Sequence, residues 1–296
     1  MILCADDYGM SPAVSQGIRE LIEQGRISSA SAMVIGTHAA EELGQLKRWR
    51  GQVEVGLHLT LTNDAPLSRL SPETGLTDAR GRLLPFPRLL RNTYRGAVDG
   101  EAVRDELDAQ LACFEHIMGS PPDYLDGHQH IQQLPVIRDV VARCAEGIAA
   151  RAGRCYVRVA GLPMAWAWRM ARAASPKLAM ANLAIAYPGL AMQRLLARRG
   201  LRHNRFLLGF YDYEDGSRFE DIFRLYVSLR PQPQDVFFCH PGYVDQALRQ
   251  RDPLAASRLD ALTFLQSSRS QELLAASGVG INTFFVQAAE EAGASV

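Results

Sequence analysis

Two acids stand side by side behind a short apolar run, Ile2-Leu3-Cys4-Ala5-Asp6-Asp7. Burying two carboxylates there is costly unless a cation or hydrogen bonds compensate. Consecutive residues of a regular strand face opposite sides, so both acids reach one site only if the backbone bends, and Tyr8-Gly9 offers a bend. Taken alone, the pair also reads as loop acids ahead of a helix. Gly56-Leu-His58-Leu-Thr60-Leu-Thr62 places His58, Thr60 and Thr62 on one strand face and leucines on the other. A core histidine satisfied by a threonine is the plain alternative.

Asp126-Gly-His128-Gln-His130 is the strongest local signal. Its three polar side chains share one side if the chain stays extended. Neutral imidazole is a good ligand for zinc and other late divalent metals, and carboxylates often orient such histidines. A His-x-His pair equally serves as one ligand and one contact to substrate or water. His240-Pro241-Gly242 follows an apolar run, where a histidine can donate to a developing oxyanion, protonate a leaving group, or simply occupy a turn. Arg158, between two valines, can orient an aspartate by a charge-assisted hydrogen bond or lie on the surface. Single strand-end histidines are usually structural; four of them together with two adjacent acids point to a site.

The elements that must position these residues follow from periodicity. Short apolar runs alternate with longer amphipathic stretches, the pattern of repeated βα units. Strands are expected at 2–5, 29–35, 53–61, 124–126, 155–160, 206–211 and 235–239, with 280–284 closing the sheet. Ser11 is placed to cap a helix that has Pro12 at its first position, with Gly25 at its end. Further helices are expected at 39–49, 101–118, 135–151, 219–229 and 259–277. The order predicts an α/β fold, a distorted (β/α) barrel, with an open doubly wound sheet as the alternative. Both put chemistry at the carboxyl ends of strands, where the acids and histidines fall. No internal boundary is evident, so 1–296 reads as a single domain. Residues 63–100, spotted with Pro and Gly, form an insertion too long for a simple connection.

Composition narrows the function. With Lys and Arg equal in number to Asp and Glu, at 32 each, nothing favours nucleic acid as a partner. The cysteines lack a CxxC pair, which suggests reduced thiols and a cytoplasmic location. The start lacks the basic region and cleavage site of a signal peptide. No uninterrupted apolar run reaches the roughly 20 residues of a membrane span.

Taken together, Ala5-Asp6-Asp7-Tyr8-Gly9, Gly56-Leu-His58-Leu-Thr60, Asp126-Gly-His128-Gln-His130 and Cys239-His240-Pro-Gly resemble the YdjC-like family, the chitooligosaccharide (ChbG-type) and hopanoid-associated (HpnK-type) deacetylases. The matching pieces span most of the chain. The resemblance implies a distorted barrel that hydrolyses an N-acetyl group from a sugar. By motif position it makes Asp7, His58 and His128 the metal ligands and Asp6 the general base, and it puts His240 at a characteristic active-site position. Asp126, His130, Arg158 and Tyr8 fall beside them as substrate or supporting residues. Tyr8 replaces the family's phenylalanine, and Gln132 stands where many relatives carry a further histidine, which weakens the case for His130. One carboxylate and two imidazoles leave metal positions open for a water and the amide oxygen. Two nitrogen donors favour zinc, with magnesium as the alternative. Either His240 or His130 could protonate the departing amine. A metal-free glycoside hydrolase and a non-catalytic sugar- or lipid-binding protein are the rival readings.

Gly161 to Gly200 contains no Asp or Glu, yet carries six Lys or Arg residues, Trp166, Trp168 and four methionines. A basic, apolar, helical insertion over 161–203 can lie on an anionic membrane surface, line an apolar groove, or pack on the barrel. Residues 199–211 also resemble the hopanoid-associated branch. The expected substrate is therefore an N-acetylglucosaminyl glycolipid of hopanoid type, met at the inner membrane surface, with a soluble chitooligosaccharide as the alternative.

Overall fold

Residues Ile2–Tyr8 form β1, buried at every position, as a strand covered on both faces of a parallel sheet must be. The computed structural model describes residues 1–161, 176–210, 218–252 and 255–285. Within them β2 (Ser29–Ala32), β3 (Glu54–Leu59), β4 (Tyr124–Gly127), β5 (Tyr156–Val157), β6 (Arg202–His203), β7 (Leu207–Leu208) and β8 (Val236–Cys239) complete one sheet. Its order is β6-β5-β4-β3-β2-β1-β8-β7 and every pairing is parallel. The two edge strands, β6 and β7, are joined through Asn204–Phe206, so the sheet curls back on itself. At the seam Leu207 N–H donates to the Gly161 carbonyl (2.9 Å), and the Asn204 side chain meets both backbone groups of Val159 (2.7 and 2.9 Å). The result is the expected distorted (β/α) barrel, with side-chain bonds mending the seam.

The two-residue period of the strands sorts the barrel interior. Ile2, Cys4, Tyr124, Tyr156, Val236 and Phe238 pack into one cluster inside it, while Leu3, Ala5, Leu125, Val157 and Phe237 join the larger core under the helices. Continuing each interior line by two residues reaches Asp6, Asp126, Arg158 and His240. The interior is thus apolar low down and charged at the carboxyl ends of the strands. Gly56 is required on this inner line, because a Cβ there would fall 2.1 Å from the Tyr124 ring.

The first four helices are α1 (Pro12–Glu23), α2 (Ala39–Leu46), α3 (Phe86–Tyr94) and α4 (Gly100–Met118). In α1 (Pro12–Glu23) the Ser11 hydroxyl accepts from Val14 N–H, Pro12 starts the first turn, and Val14, Ile18 and Leu21 are buried. Along α4 (Gly100–Met118), capped by Asp99 and ended by left-handed Gly119, Val103, Leu107, Leu111 and Phe114 face the core. The 63–100 insertion holds a short 3-10 turn, Pro72–Thr74, and α3 (Phe86–Tyr94). Between Gly161 and β6, the helix Pro176–Arg198 is described; Trp166, Trp168, Arg169 and Arg172 lie outside the described residues.

Several expectations are corrected. Gly280–Phe284 does not add a strand: Phe284 and Phe285 N–H donate to the Glu54 carboxylate (2.8 and 3.2 Å), and the segment covers the bottom of the barrel. The sheet gains instead the short edge strand Arg202–His203. The strands expected at 29–35, 155–160 and 206–211 shorten to 29–32, 156–157 and 207–208; beyond Val157 the N–H groups of Val159 and Ala160 turn to the Asn204 and Gln133 side chains, and Tyr211 lies outside the described residues. Among the described residues, no helix is long and apolar enough to cross a membrane.

Candidate active site

Arg158 is fully buried in the barrel mouth, and its guanidinium forks onto both oxygens of Asp6 at 2.6 Å each. The same group is ion-paired with Asp126 Oδ2 at 2.7 Å. A planar, always-charged fork suits two carboxylates at once. Burial pushes the Asp126 carboxyl up, but Arg158 and His58 outweigh it and hold it below its ordinary range. Asp126 Oδ1 also accepts from the Ser31 hydroxyl (2.5 Å) and lies 2.8 Å from His58 Nδ1. Held on Asp126 through Nδ1, His58 turns Nε2 toward Asp7 Oδ1, 3.3 Å away.

Asp7 reaches the same pocket by a break in β1. The register slips between Ala5 and Tyr8, and Asp7 adopts a left-handed φ of 66°. That bulge puts consecutive acids at one mouth, which a regular strand forbids. Asp7 Oδ1 lies 3.0 Å from His128 Nδ1, and Oδ2 receives Arg258 Nη2 at 2.6 Å. Burial raises the Asp7 carboxyl, and Arg258 with His128 overcomes this, leaving it well below the carboxylate range. His240 Nε2 stands 3.9 Å from Asp7 Oδ2, its ring edge-on to Phe238, and burial lowers its pKa to about 4.

The expected shared face of Asp126, His128 and His130 does not form. After Gly127 the chain enters a 3-10 turn, and Gln129 and His130 both take a φ of 58°. His128 therefore points at Asp7, while His130 swings against Phe210 and Phe238, with ring centroids 5.4 and 5.3 Å apart. Burial, then Arg158, pull its pKa to about 3, and its Nδ1 has no hydrogen-bond partner among the described residues. Tyr8 is also set apart: its hydroxyl donates to the Glu42 carbonyl (2.7 Å) and accepts from Arg19 (3.0 Å), away from the mouth.

One nitrogen or oxygen from each of Asp7, His58 and His128 lies within 4.8 Å of the others, a grouping able to hold a metal ion. The electrostatics fit a cation there. Burial should lower the His58 pKa, yet Asp126, Asp7 and Asp6 raise it to about 10, so the pocket favours positive charge. Asp6, His58 and Asp126 form a second grouping, but Arg158 already lies against both of its acids.

Sequence reasoning missed Arg258 and its anchor Asp252, which meets Arg258 Nε at 2.6 Å. It missed Ser31 as well, whose only signal is the alternation of serines in Ser29-Ala-Ser31. Two hollows flank the mouth. A polar cleft of about 730 Å³ runs from His128 between Met33–Thr37 and Thr62–Leu67, with Arg82 at its side. An apolar pocket of about 300 Å³ lies beyond the turn, between Phe86, Leu90 and Tyr94 of α3, His130, Leu134 and Pro188.

Residues 1–276 match the model of the YdjC-like protein family, and the chain belongs to that family. Among curated relatives, a human protein named carbohydrate deacetylase is 33% identical over 152 residues, covering 51% of this chain and 46% of its own length. An Enterobacter protein named chitooligosaccharide deacetylase is 34% identical over 156 residues, covering 52% of this chain and 59% of its own. The chain thus spans about half the length of the curated relatives it matches. A crystal structure from Enterococcus faecalis, titled for cellobiose-phosphate cleavage, has the same fold, with a TM-score of 0.70, 21% identity and coverage of 95% of this chain and 96% of that one.

Proposed function

We propose that this chain is a single-domain, divalent-metal-dependent N-deacetylase of amidosugars. The convergence of Asp7, His58 and His128 beside an Asp6 clamped by Arg158 carries the reading, and the names of the relatives support it. Asp7, His58 and His128 would hold the cation, which supplies polarisation of the acetyl carbonyl and a more acidic water. Two nitrogen donors favour zinc over magnesium.

The protein's own side chains do the rest. Arg158 fixes the plane of Asp6, so that a lone pair is aimed to take a proton as the general base. Asp126 holds His58 in the tautomer whose Nε2 is a donor atom. His240, beside Asp7, offers an N–H to the oxyanion and a route for a proton to the departing amine. With His130 turned into the aromatic pocket, His240 is the better placed of the two.

The polar cleft next to His128 suits the sugar, and the apolar pocket beyond His130 suits an apolar aglycone. Exposed Tyr94, Tyr187 and Leu190 stand near that pocket, and the acid-free stretch 161–203 supports contact with a membrane surface. On these grounds the preferred substrate is an N-acetylglucosaminyl glycolipid of the hopanoid-associated branch, with a soluble chitooligosaccharide as the alternative. Metal analysis with an acetate-release assay on wild type and His128→Ala tests the activity: the variant should lose both bound metal and turnover. Full turnover by metal-free protein would overturn the metal-dependent reading. Equal or better turnover of free N-acetylglucosamine oligomers than of the lipid-linked sugar would overturn the glycolipid preference.

A further inference from the structure

Glu106 in α4 is completely buried. A carboxylate without water must find donors. Its donors are Leu67 N–H (3.1 Å), Ser68 N–H (2.8 Å), the Ser68 hydroxyl (2.6 Å) and the Gln110 amide (2.8 Å). Gln110 in turn binds both backbone groups of Thr60 (3.1 and 2.8 Å), at the end of β3. Two side chains thus tie the strand that carries His58 to the loop that walls the polar cleft.

In that loop, the side-chain bonds that hold the far half are, among the described residues, those to Glu106. Its near half is fixed by Arg82, which donates to the Asn63 carbonyl (2.8 Å), and by Leu83 N–H on the Asp64 carbonyl (2.8 Å). Leu67, in contrast, is 45% exposed, so burial of its own side chain does not anchor the segment. At the base of the wall the Thr62 hydroxyl is buried without a hydrogen-bond partner among the described residues, a polar group placed against the cleft. A wall that must be ordered on binding weakens affinity; a wall already ordered does not.

We propose that Glu106 is a positioning residue: by clipping Leu67 and Ser68 it keeps Asn63–Ser68 as a fixed wall that binds the sugar unit next to the one being deacetylated. The inference rests on the deacetylase reading. Glu106→Gln keeps the shape and turns one acceptor into an amide that faces N–H donors. Ser68→Ala removes a single bond from an accessible edge, and carries the test if Glu106→Gln fails to fold. Hydrogen exchange over 61–72 should quicken in both. In Glu106→Gln, KM for N,N′-diacetylchitobiose should rise about tenfold while kcat stays within about twofold and KM for N-acetylglucosamine barely moves, since uniform binding energy alone is lost. Ser68→Ala should show about a threefold rise on the same principle. Unchanged exchange, faster exchange with an unchanged disaccharide KM, or an equal KM rise for both sugars would each overturn the proposal. Wild type that releases no acetate from either free sugar or from lipid-linked N-acetylglucosamine would sink the deacetylase reading instead. The proposal would then stand or fall on whether the calorimetric Kd for diacetylchitobiose weakens in the variants.

Discussion

The barrel interior buries acids at both ends and treats them in opposite ways. At the mouth, Asp126 lies against the Arg158 guanidinium and its carboxyl is held below the ordinary range. At the bottom, the donors to Glu54 among the described residues are neutral, the N–H groups of Phe284 and Phe285 and the Tyr156 hydroxyl at 3.3 Å. Burial there wins and lifts its pKa to about 7. The depth of burial is similar; the presence of a cation decides the sign. The mouth keeps Asp126 ionised because Arg158 is built into it, and the same guanidinium forks onto Asp6.

The comparison breaks most severely if Arg158 is removed. Arg158→Met would strip Asp6 of its guanidinium and leave Asp126 with His58 and Ser31 alone, and denaturant unfolding should show a loss of about 3–5 kcal/mol. Recovery of full stability at neutral pH would mean that the guanidinium is not what stabilises the mouth. Asp6→Asn should spare the fold and the bound metal while acetate release falls by about 10²–10⁴-fold; metal analysis beside the rate assay separates this from loss of the site.

The bottom of the barrel gives a pH signature. Glu54 binds its proton more tightly folded than unfolded, so its contribution is full below the ordinary glutamate pKa of 4.5 and is lost as pH rises through about 7. Between those limits stability should fall by about 3 kcal/mol. Glu54→Gln keeps an oxygen for the Phe284 and Phe285 N–H groups and should flatten that slope in thermal melts across pH; an unaltered slope would place the titration elsewhere. The smallest effect is expected at Thr62→Val. Removing a buried hydroxyl without a partner should raise stability by about 1 kcal/mol, with a modest rise in disaccharide KM, and a drop in stability would show that the hydroxyl is satisfied after all.

The parts of this molecule legible in the sequence are those governed by short-range rules. Ser11-Pro12 and Gly25 mark the ends of α1 through backbone chemistry, and the strand period carries Asp6, His58, Asp126 and His240 to the mouth. What was not legible depends on left-handed backbone or distant partners. Nothing in Gln129-His130 declares that both residues take φ near 60°, so the extended reading of that motif failed. Arg258 meets Asp7 across 251 positions, and Glu106 meets Leu67 across 39; neither pairing leaves a periodic trace. The edge strand Arg202–His203 is too short, and too polar, to stand out.

The slip between Ala5 and Tyr8 means that β1 is two half-strands of opposite phase welded at the paired acids. Its first half keeps time with the barrel interior, and its second half runs one beat late. A substitution at either acid removes one carboxylate, but deleting Asp6 would restore the rhythm and slide Asp7 into the place of Asp6, away from its own position beside the histidines. Spacing, as much as residue identity, is therefore what the pair Asp6-Asp7 encodes.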